Sequence, residues 1–273
     1  MRVKFWGTRG SVPTPGRATE KYGGNTACVE VQHDGMRLIL DAGTGIRELG
    51  LSMMNGPDSP VAMFFSHVHW DHIQGLPFFV PFFKPDYSFT IYAPTPFKAS
   101  VEMVLYKQMA ADVFPVDFGN LAAKIEFQDL SDEGGNIGPF TVSAFPLCHP
   151  GGSWAYRIEA GGRTLVYATD NEIDPEGMAE AYQSFLARLG KTDLLIADGQ
   201  YTLAEYPEKR GWGHGVLEHL VRLAKDAALP RMAITHHDPM RDDDALSDLE
   251  RRVRKELPDR QVFFARDGLA VEV

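Results

Sequence analysis

Apolar and polar positions along this chain fall into short alternating runs in its first half and into runs spaced for helices in its second. Val3 to Trp6, Ala27 to Val31 and Met36 to Leu40 carry the pattern of short strands, the last two joined as a hairpin across His33-Asp34-Gly35. His33 is thereby expected in a surface turn. Val61 to Phe65 is a continuous apolar run, and Ser88 to Ala93, Ile125 to Leu130 and Phe140 to Phe145 read as further strands. Ala155 to Glu159 and Thr164 to Tyr167 form two more around Gly161-Gly162. Phe97 to Ala111 reads as a helix. Met178, Tyr182, Phe185, Leu186 and Leu189 mark an amphipathic helix, as do Val216, Leu217, Leu220, Val221 and Ala224, and then Leu246, Leu249, Val253 and Leu257. Asp193 to Ala197 and Arg231 to Thr235 are strands set between these helices. Phe263 to Val273 is expected to close the chain as a strand or hairpin around Asp267-Gly268.

Strands therefore come first in an antiparallel-looking group and later alternate with helices. No linker, charge block or low-complexity tract interrupts residues 1–273, so one α/β domain is expected, with two packed sheets and helices outside. Two segments break the pattern. Gly7 to Thr26, with glycines at 7, 10, 16, 23 and 24, is a long loop that suits phosphate contact but lacks the spacing of a dinucleotide or P-loop fingerprint. Phe78, Phe79, Phe82 and Phe83 are interleaved with Pro77, Pro81 and Pro85, which exclude a long regular helix. These aromatics suit a core, an apolar wall over a site, or a dimer contact.

Composition narrows the function. The 273 residues are 44% hydrophobic and 23% charged, ordinary for a globular protein. The net charge of −10 repels long nucleic acids unless a local basic face opposes it, which favours a small substrate. Two cysteines, Cys28 and Cys148, make no disulfide framework. Cys148 adjoins His149 and reads as either a ligand or a small buried thiol. The opening residues show no signal peptide or membrane span, so a cytoplasmic location is expected.

The candidate chemistry centres on Ser66-His67-Val68-His69-Trp70-Asp71-His72, which follows the apolar run. On an extended segment His67 and His69 point to one side, while Asp71 and His72 lie where the strand gives way and can aim at a second point nearby. Three imidazoles and a carboxylate so spaced suit two adjacent borderline cations. His149, at a strand end before Pro150-Gly151, can supply a third imidazole to the first. Asp170, at the end of an apolar strand, can bridge the two. Asp41, Asp198 and His236 also sit at strand ends. Asp41 suits a contact behind a ligand or a plain turn. His219 falls off its helix's apolar stripe and is expected in solvent. His237 is expected to pack or cap, because it points opposite to His236.

His67-x-His69-x-Asp71-His72, then His149, Asp170 and His236, in this order and with Asp41 ahead of them, resemble the metallo-β-lactamase superfamily. The resemblance implies an αβ/βα sandwich, with one metal on His67, His69 and His149, a second on Asp71, His72 and His236, and Asp170 between them. Gly7-Thr8-Arg9-Gly10-Ser11-Val12-Pro13, Asp71-His72-Ile73-Gln74-Gly75-Leu76-Pro77 and Gly213-His214 look like the ribonuclease Z branch. There the matching histidine, His214, implies a proton donor to the leaving group and Asp198 its orienting partner, although ribonuclease Z usually carries Glu at that position. Only 150–169 separate His149 from Asp170, room for a hairpin and not for a long tRNA-gripping arm. Trp70 also stands where the branch has a small residue. The remainder is similar to cyclic-nucleotide phosphodiesterase-like members.

Metal-assisted hydrolysis of a small phosphodiester is therefore expected, with Asp71 helping to steer the nucleophile. Two divalent ions are implied; zinc best fits the donors, and manganese or iron also suit them. The branch implies a possible homodimer. Rivals are ribonuclease Z-type RNA processing, lactone or ester hydrolysis, and a di-iron oxidoreductase on the same scaffold.

Overall fold

The structure, a computed structural model, describes residues 1–54, 60–95, 97–131 and 133–273. In chain order the strands are β1 (Arg2–Gly7), β2 (Cys28–His33), β3 (Met36–Leu40), β4 (Val61–Phe64), β5 (Ser88–Pro94), β6 (Lys124–Leu130), β7 (Gly135–Ile137), β8 (Phe140–Leu147), β9 (Ser153–Ala160), β10 (Arg163–Ala168), β11 (Leu194–Asp198), β12 (Arg231–Thr235), β13 (Gln261–Phe264) and β14 (Ala270–Glu272). Among the described residues they form two seven-stranded sheets, ordered β14-β1-β2-β3-β4-β5-β6 and β13-β12-β11-β10-β9-β8-β7. Each sheet is mixed. Antiparallel hairpins β2–β3 and β8–β9–β10 pass into parallel runs, β3 to β6 in one sheet and β10 to β13 in the other.

The alternation read in the sequence becomes three apolar layers. Between the sheets lie Val3, Phe5, Leu38, Leu40 and Phe64 from one side and Val142, Ile158, Leu165, Leu194 and Ile196 from the other. On the outer face of the first sheet Ile39, Met63, Phe89 and Ile91 meet helix α1 (Ile46–Met53) through Ile46 and Leu49. They also meet α3 (Phe97–Gln108) through Val101 and Leu105; the single turn α2 (Trp70–Ile73) lies between these two in sequence. On the outer face of the second sheet Val166, Ala168, Leu195 and Met232 meet α4 (Ala179–Leu189), α6 (Leu217–Asp226) and α7 (Asp243–Glu256), while the short α5 (Tyr206–Lys209) lies in the loop before α6. Even and odd residues of β11 thus serve different layers, which is why Leu194 to Asp198 is buried throughout.

The structure corrects several sequence expectations. β13 and β14 are not a hairpin: β13 pairs with β12 and β14 with β1, so the Asp267-Gly268 turn crosses from one sheet to the other. The helix expected to reach Ala111 stops at Gln108. α1 and β7 were not foreseen. The Phe78 to Phe83 segment divides: Phe79 and Phe82 are fully buried, while Phe78 is 60% exposed. Pro77 and Pro81 confine the backbone there to two short 3-10 turns. Among the described residues no helix is long and apolar enough to cross a membrane.

Candidate metal centre

β3 and β4 run parallel, as do β10, β11 and β12, and β8 shares the direction of β10 because both are antiparallel to β9. Their C-terminal ends therefore open on one edge of the sandwich, where open α/β sheets receive ligands. β4 delivers Ser66 to His72, β8 delivers His149, β10 Asp170, β11 Asp198 and β12 His236. His69 caps the N-terminus of α2 from extended backbone, and the turn that follows swings Asp71 and His72 inward while Trp70 stays 69% exposed. Asp41, Asp170 and His236 all have left-handed backbone, with φ of 62°, 58° and 57°. A non-glycine residue adopts this only when its surroundings enforce it.

The donor atoms converge in two groups. His72 Nε2 lies 3.3 Å from His236 Nε2, 3.4 Å from Asp71 Oδ2 and 3.4 Å from Asp170 Oδ1. His236 Nε2 lies 3.0 Å from Asp71 Oδ2 and 3.3 Å from Asp170 Oδ1. Ligands about 2.1 Å from a tetrahedral ion stand about 3.4 Å apart, so these edges suit a zinc-sized cation. In the second group His67, His69 and His149 bring donor atoms within 4.8 Å of one another, with His149 Nε2 3.0 Å from His69 Nδ1. Asp170 faces both groups, since its Oδ2 lies 3.5 Å from His67 Nε2.

The remaining ring nitrogens are held from behind. His72 Nδ1 is 2.8 Å from Asp41 Oδ2, which also accepts from Ser66 Oγ and Tyr167 Oη. His149 Nδ1 donates to Gly213 O at 2.9 Å, and His236 Nδ1 to Gln200 Oε1 at 3.0 Å. These bonds fix the tautomers and turn each Nε2 lone pair toward the cluster. His67 Nε2 is buried with no hydrogen-bond partner, as an uncapped lone pair aimed at a cation would be. Close approach is built in: a Cβ on Gly10 would stand 2.4 Å from His236 Nδ1, and one on Gly213 2.2 Å from His149 Nδ1.

Electrostatics agree with the donor chemistry. Burial, then repulsion from His72, pushes His67 well below its ordinary value, and burial lowers His69 and His149. Burial alone would depress His72 and His236, but the carboxylates around them win. His72 is held well above its ordinary value, and His236 rises to about 9. Asp71 and Asp170 are pulled far down by the imidazoles despite burial. Ionised carboxylates and imidazoles competing for positive charge form a site short of cations, and the residues present fit divalent metal.

A different pair stands beside the cluster. His214 Nδ1 is 2.9 Å from Asp198 Oδ2, whose carboxylate also accepts from Gly215 N and Gln200 N, and 3.8 Å from Asp170 Oδ2. The structure therefore brings together all nine residues singled out from the sequence: His67, His69, Asp71, His72, His149, Asp170, Asp198, His214 and His236. Cys148 belongs to none of the converging groups among the described residues; it is half-buried, and burial pushes its thiol up. His237 is buried, stacked on Phe264 and bonded to Ala265 O, as a packing residue. His219 is not solvated as expected: it is half-buried, gives Nδ1–H to Ile173 O and meets the Tyr206 ring. The glycine-rich loop acts from its backbone, Ser11 N–H donating to Asp71 Oδ2 at 2.7 Å. Buried Arg9 binds Gly23 O and Asp238 O behind it. Tyr167, Gln200 and Glu172 were missed, being single polar residues with no spacing to mark them, and Ser66, inside the motif, was given no role.

A family model described as the beta-lactamase superfamily domain matches residues 36–237. Ribonuclease Z of Haloferax volcanii is 28% identical over an alignment of 312 positions, covering 100% of this chain and 95% of that protein. Among solved structures, the metallo-β-lactamase fold protein YhfI from Bacillus subtilis superposes with a TM-score of 0.72 at 22% identity, covering 99% of both chains. A diphosphatase of the PhnP family gives 0.73 at 19% identity, covering 100% of this chain and 97% of that one. The two packed mixed sheets with flanking helices are thus the αβ/βα sandwich of that fold.

Proposed function

This chain belongs to the beta-lactamase superfamily, and from that premise we propose that it is a cytoplasmic metal-dependent phosphodiesterase acting on a small substrate of the cyclic-nucleotide class. The observation that carries the reading is the set of 3.0–3.4 Å edges among His72, His236, Asp71 and Asp170, with the His214–Asp198 pair next to it.

His67, His69 and His149 would hold one divalent ion, Asp71, His72 and His236 another, and Asp170 both. Such ions, zinc by donor softness, lower the pKa of water to about 7 and neutralise charge on phosphoryl oxygens. Asp71, held by Ser11 N–H, orients the incoming water. In its doubly protonated form His214 gives Nδ1–H to the Asp198 carboxylate, which balances the ring's charge, and Nε2–H is the proton passed to the departing oxygen. Proton transfer by a positioned group is typically worth about 10²–10⁴-fold. Exposed Trp70 and Trp212 are the chain neighbours of His69 and Gly213 and offer aromatic surface for a base.

The relatedness to a ribonuclease Z supports a second reading, RNA cleavage. Against it stand the short 150–169 connection and the net charge of −10. One enzyme batch, its metal measured by elemental analysis, should be compared on cyclic mononucleotides, a nitrophenyl phosphodiester, short RNA and a lactone. Cyclic nucleotides should be turned over fastest among the natural substrates. A higher kcat/KM on RNA or lactone would overturn the substrate class, and trace metal only would overturn the reading as a whole.

A further inference from the structure

Two residues after Asp170 lies Glu172, which the proposed chemistry leaves idle. It is buried at 5% exposure, and among the described residues no lysine or arginine pairs with it. Its acceptors are filled by other means. Gly211 N–H donates to Oε1 and Oε2, both at 2.9 Å, Gly213 N–H to Oε2 at 2.8 Å, and Tyr206 Oη to Oε1 at 2.9 Å. Gly211 and Gly213 both have left-handed backbone, φ 84° and 87°, which turns their N–H groups to one point. Backbone amides so turned form an anion-binding concavity, and here the anion is the protein's own carboxylate.

The clamped loop matters because of what leaves it. Gly213 O receives the Nδ1–H of His149, and the next residue is His214. On the other side Glu172 N donates to Cys148 O, one residue before His149. One residue, through its backbone N–H on one side and its carboxylate on the other, therefore ties together the backbone behind His149 and the backbone that carries His214.

We infer that Glu172 is a positioning residue, an internal anion that locks the 211–213 loop so that His214 Nε2 is presented to the leaving oxygen. The inference rests on the proposed role of His214. Gln at this position presents an NH₂ group where two N–H donors expect oxygen, so Glu172→Gln should release the loop.

The holoenzyme should be assayed at saturating zinc on two diesters, one releasing nitrophenolate and one an alkyl alcohol. Glu172→Gln should lower kcat on the alkyl diester about 10–100-fold and change the nitrophenyl rate little, with KM unchanged on both. Added to His214→Ala it should bring no further loss. Equal losses on the two diesters, or losses that multiply in the double variant, would overturn the inference. If His214→Ala itself lacks the leaving-group bias, the proposed function fails; bias in His214→Ala without bias in Glu172→Gln defeats only the role of Glu172. Two readouts need no activity. In metal-free protein with ¹⁵N-labelled histidine, the His214 Nδ1–H signal should be sharp in the wild type and broadened in Glu172→Gln. In the wild type the Gly211 and Gly213 amides should exchange with solvent as slowly as those of β11; exchange at open-loop rates would overturn the clamp even if the variant failed to fold.

Discussion

Asp41, Asp170 and His236 each hold a backbone conformation that costs about 1–3 kcal/mol in a non-glycine residue, and each does so one or two residues past a strand end. The strain persists because their side chains are fixed on several sides. Asp41 alone accepts from Ser66 N, Ser66 Oγ, Tyr167 Oη and His72 Nδ1. Asp41→Ala should therefore free the His72 ring and weaken metal binding about 10–100-fold, measured by competition with a chelator; an unchanged affinity would remove Asp41 from that task. Asp267 makes a prediction away from the cluster. Burial pushes its carboxyl up from 3.8 to about 6, against the pull of Asn25 N–H and Arg9. Between those values the folded chain holds a proton that the unfolded chain has released. The stabilisation is full below about pH 3.8 and is lost as pH rises through 6. The urea midpoint of Asp267→Asn, relative to wild type, should accordingly rise from pH 4 to pH 7, and a flat difference would show that Asp267 is not the proton's holder. At this scale the side chains that converge were legible, since imidazoles and carboxylates stood in a tell-tale order. The sign of φ was not, nor were Tyr167, Gln200 and Glu172, whose partners in the site lie 34 to 126 positions away.

Periodicity revealed the elements and missed their partners. Strands and long helices were legible because apolar residues recur every two or every three to four positions. α1 was overlooked although Ile46, Leu49, Gly50 and Met53 share its buried face, because eight residues give barely two turns of signal. The last two strands were misjudged because a tight Asp-Gly turn looks the same whether it joins neighbours in one sheet or crosses between two. The aromatic segment separates cleanly by burial. Phe82 packs against the rings of Phe79, Phe89 and Phe118, so Phe82→Ala should destabilise by about 3–5 kcal/mol in urea unfolding. Phe78, 60% exposed, should tolerate alanine within about 0.5 kcal/mol unless it meets substrate. In the loop before α6, Trp212 lies under the Lys209 ammonium, 4.1 Å from its ring centre. Trp212→Ala should raise KM for a cyclic nucleotide and leave KM for a small alkyl diester unchanged; parallel changes would show that the indole does not stack a base.

Across the whole molecule the cluster draws on both layers. His67, His69, Asp71 and His72 come from the first sheet, and His149, Asp170 and His236 from the second. Direct ties between the sheets at this edge include Tyr156 Oη to Phe65 O and Tyr167 Oη to Asp41, both 2.7 Å. Ions that bind only the folded arrangement stabilise it by mass action. Chelation should lower Tm, and added zinc should restore it in proportion to the logarithm of free metal; a Tm indifferent to metal would mean that the donors do not share an ion. The ordered motif made this convergence legible in outline, because parallel strands put their C-terminal ends on one side. Which nitrogen faces inward depended on carbonyls and amides that no pattern encodes. A centre that needed its ions to hold two halves of a fold together would also tie abundance to nutrition. Cells starved of the metal should lose this protein to proteolysis and not accumulate a reserve of intact, idle chains, so immunoblots during depletion and resupply would show recovery waiting on new synthesis.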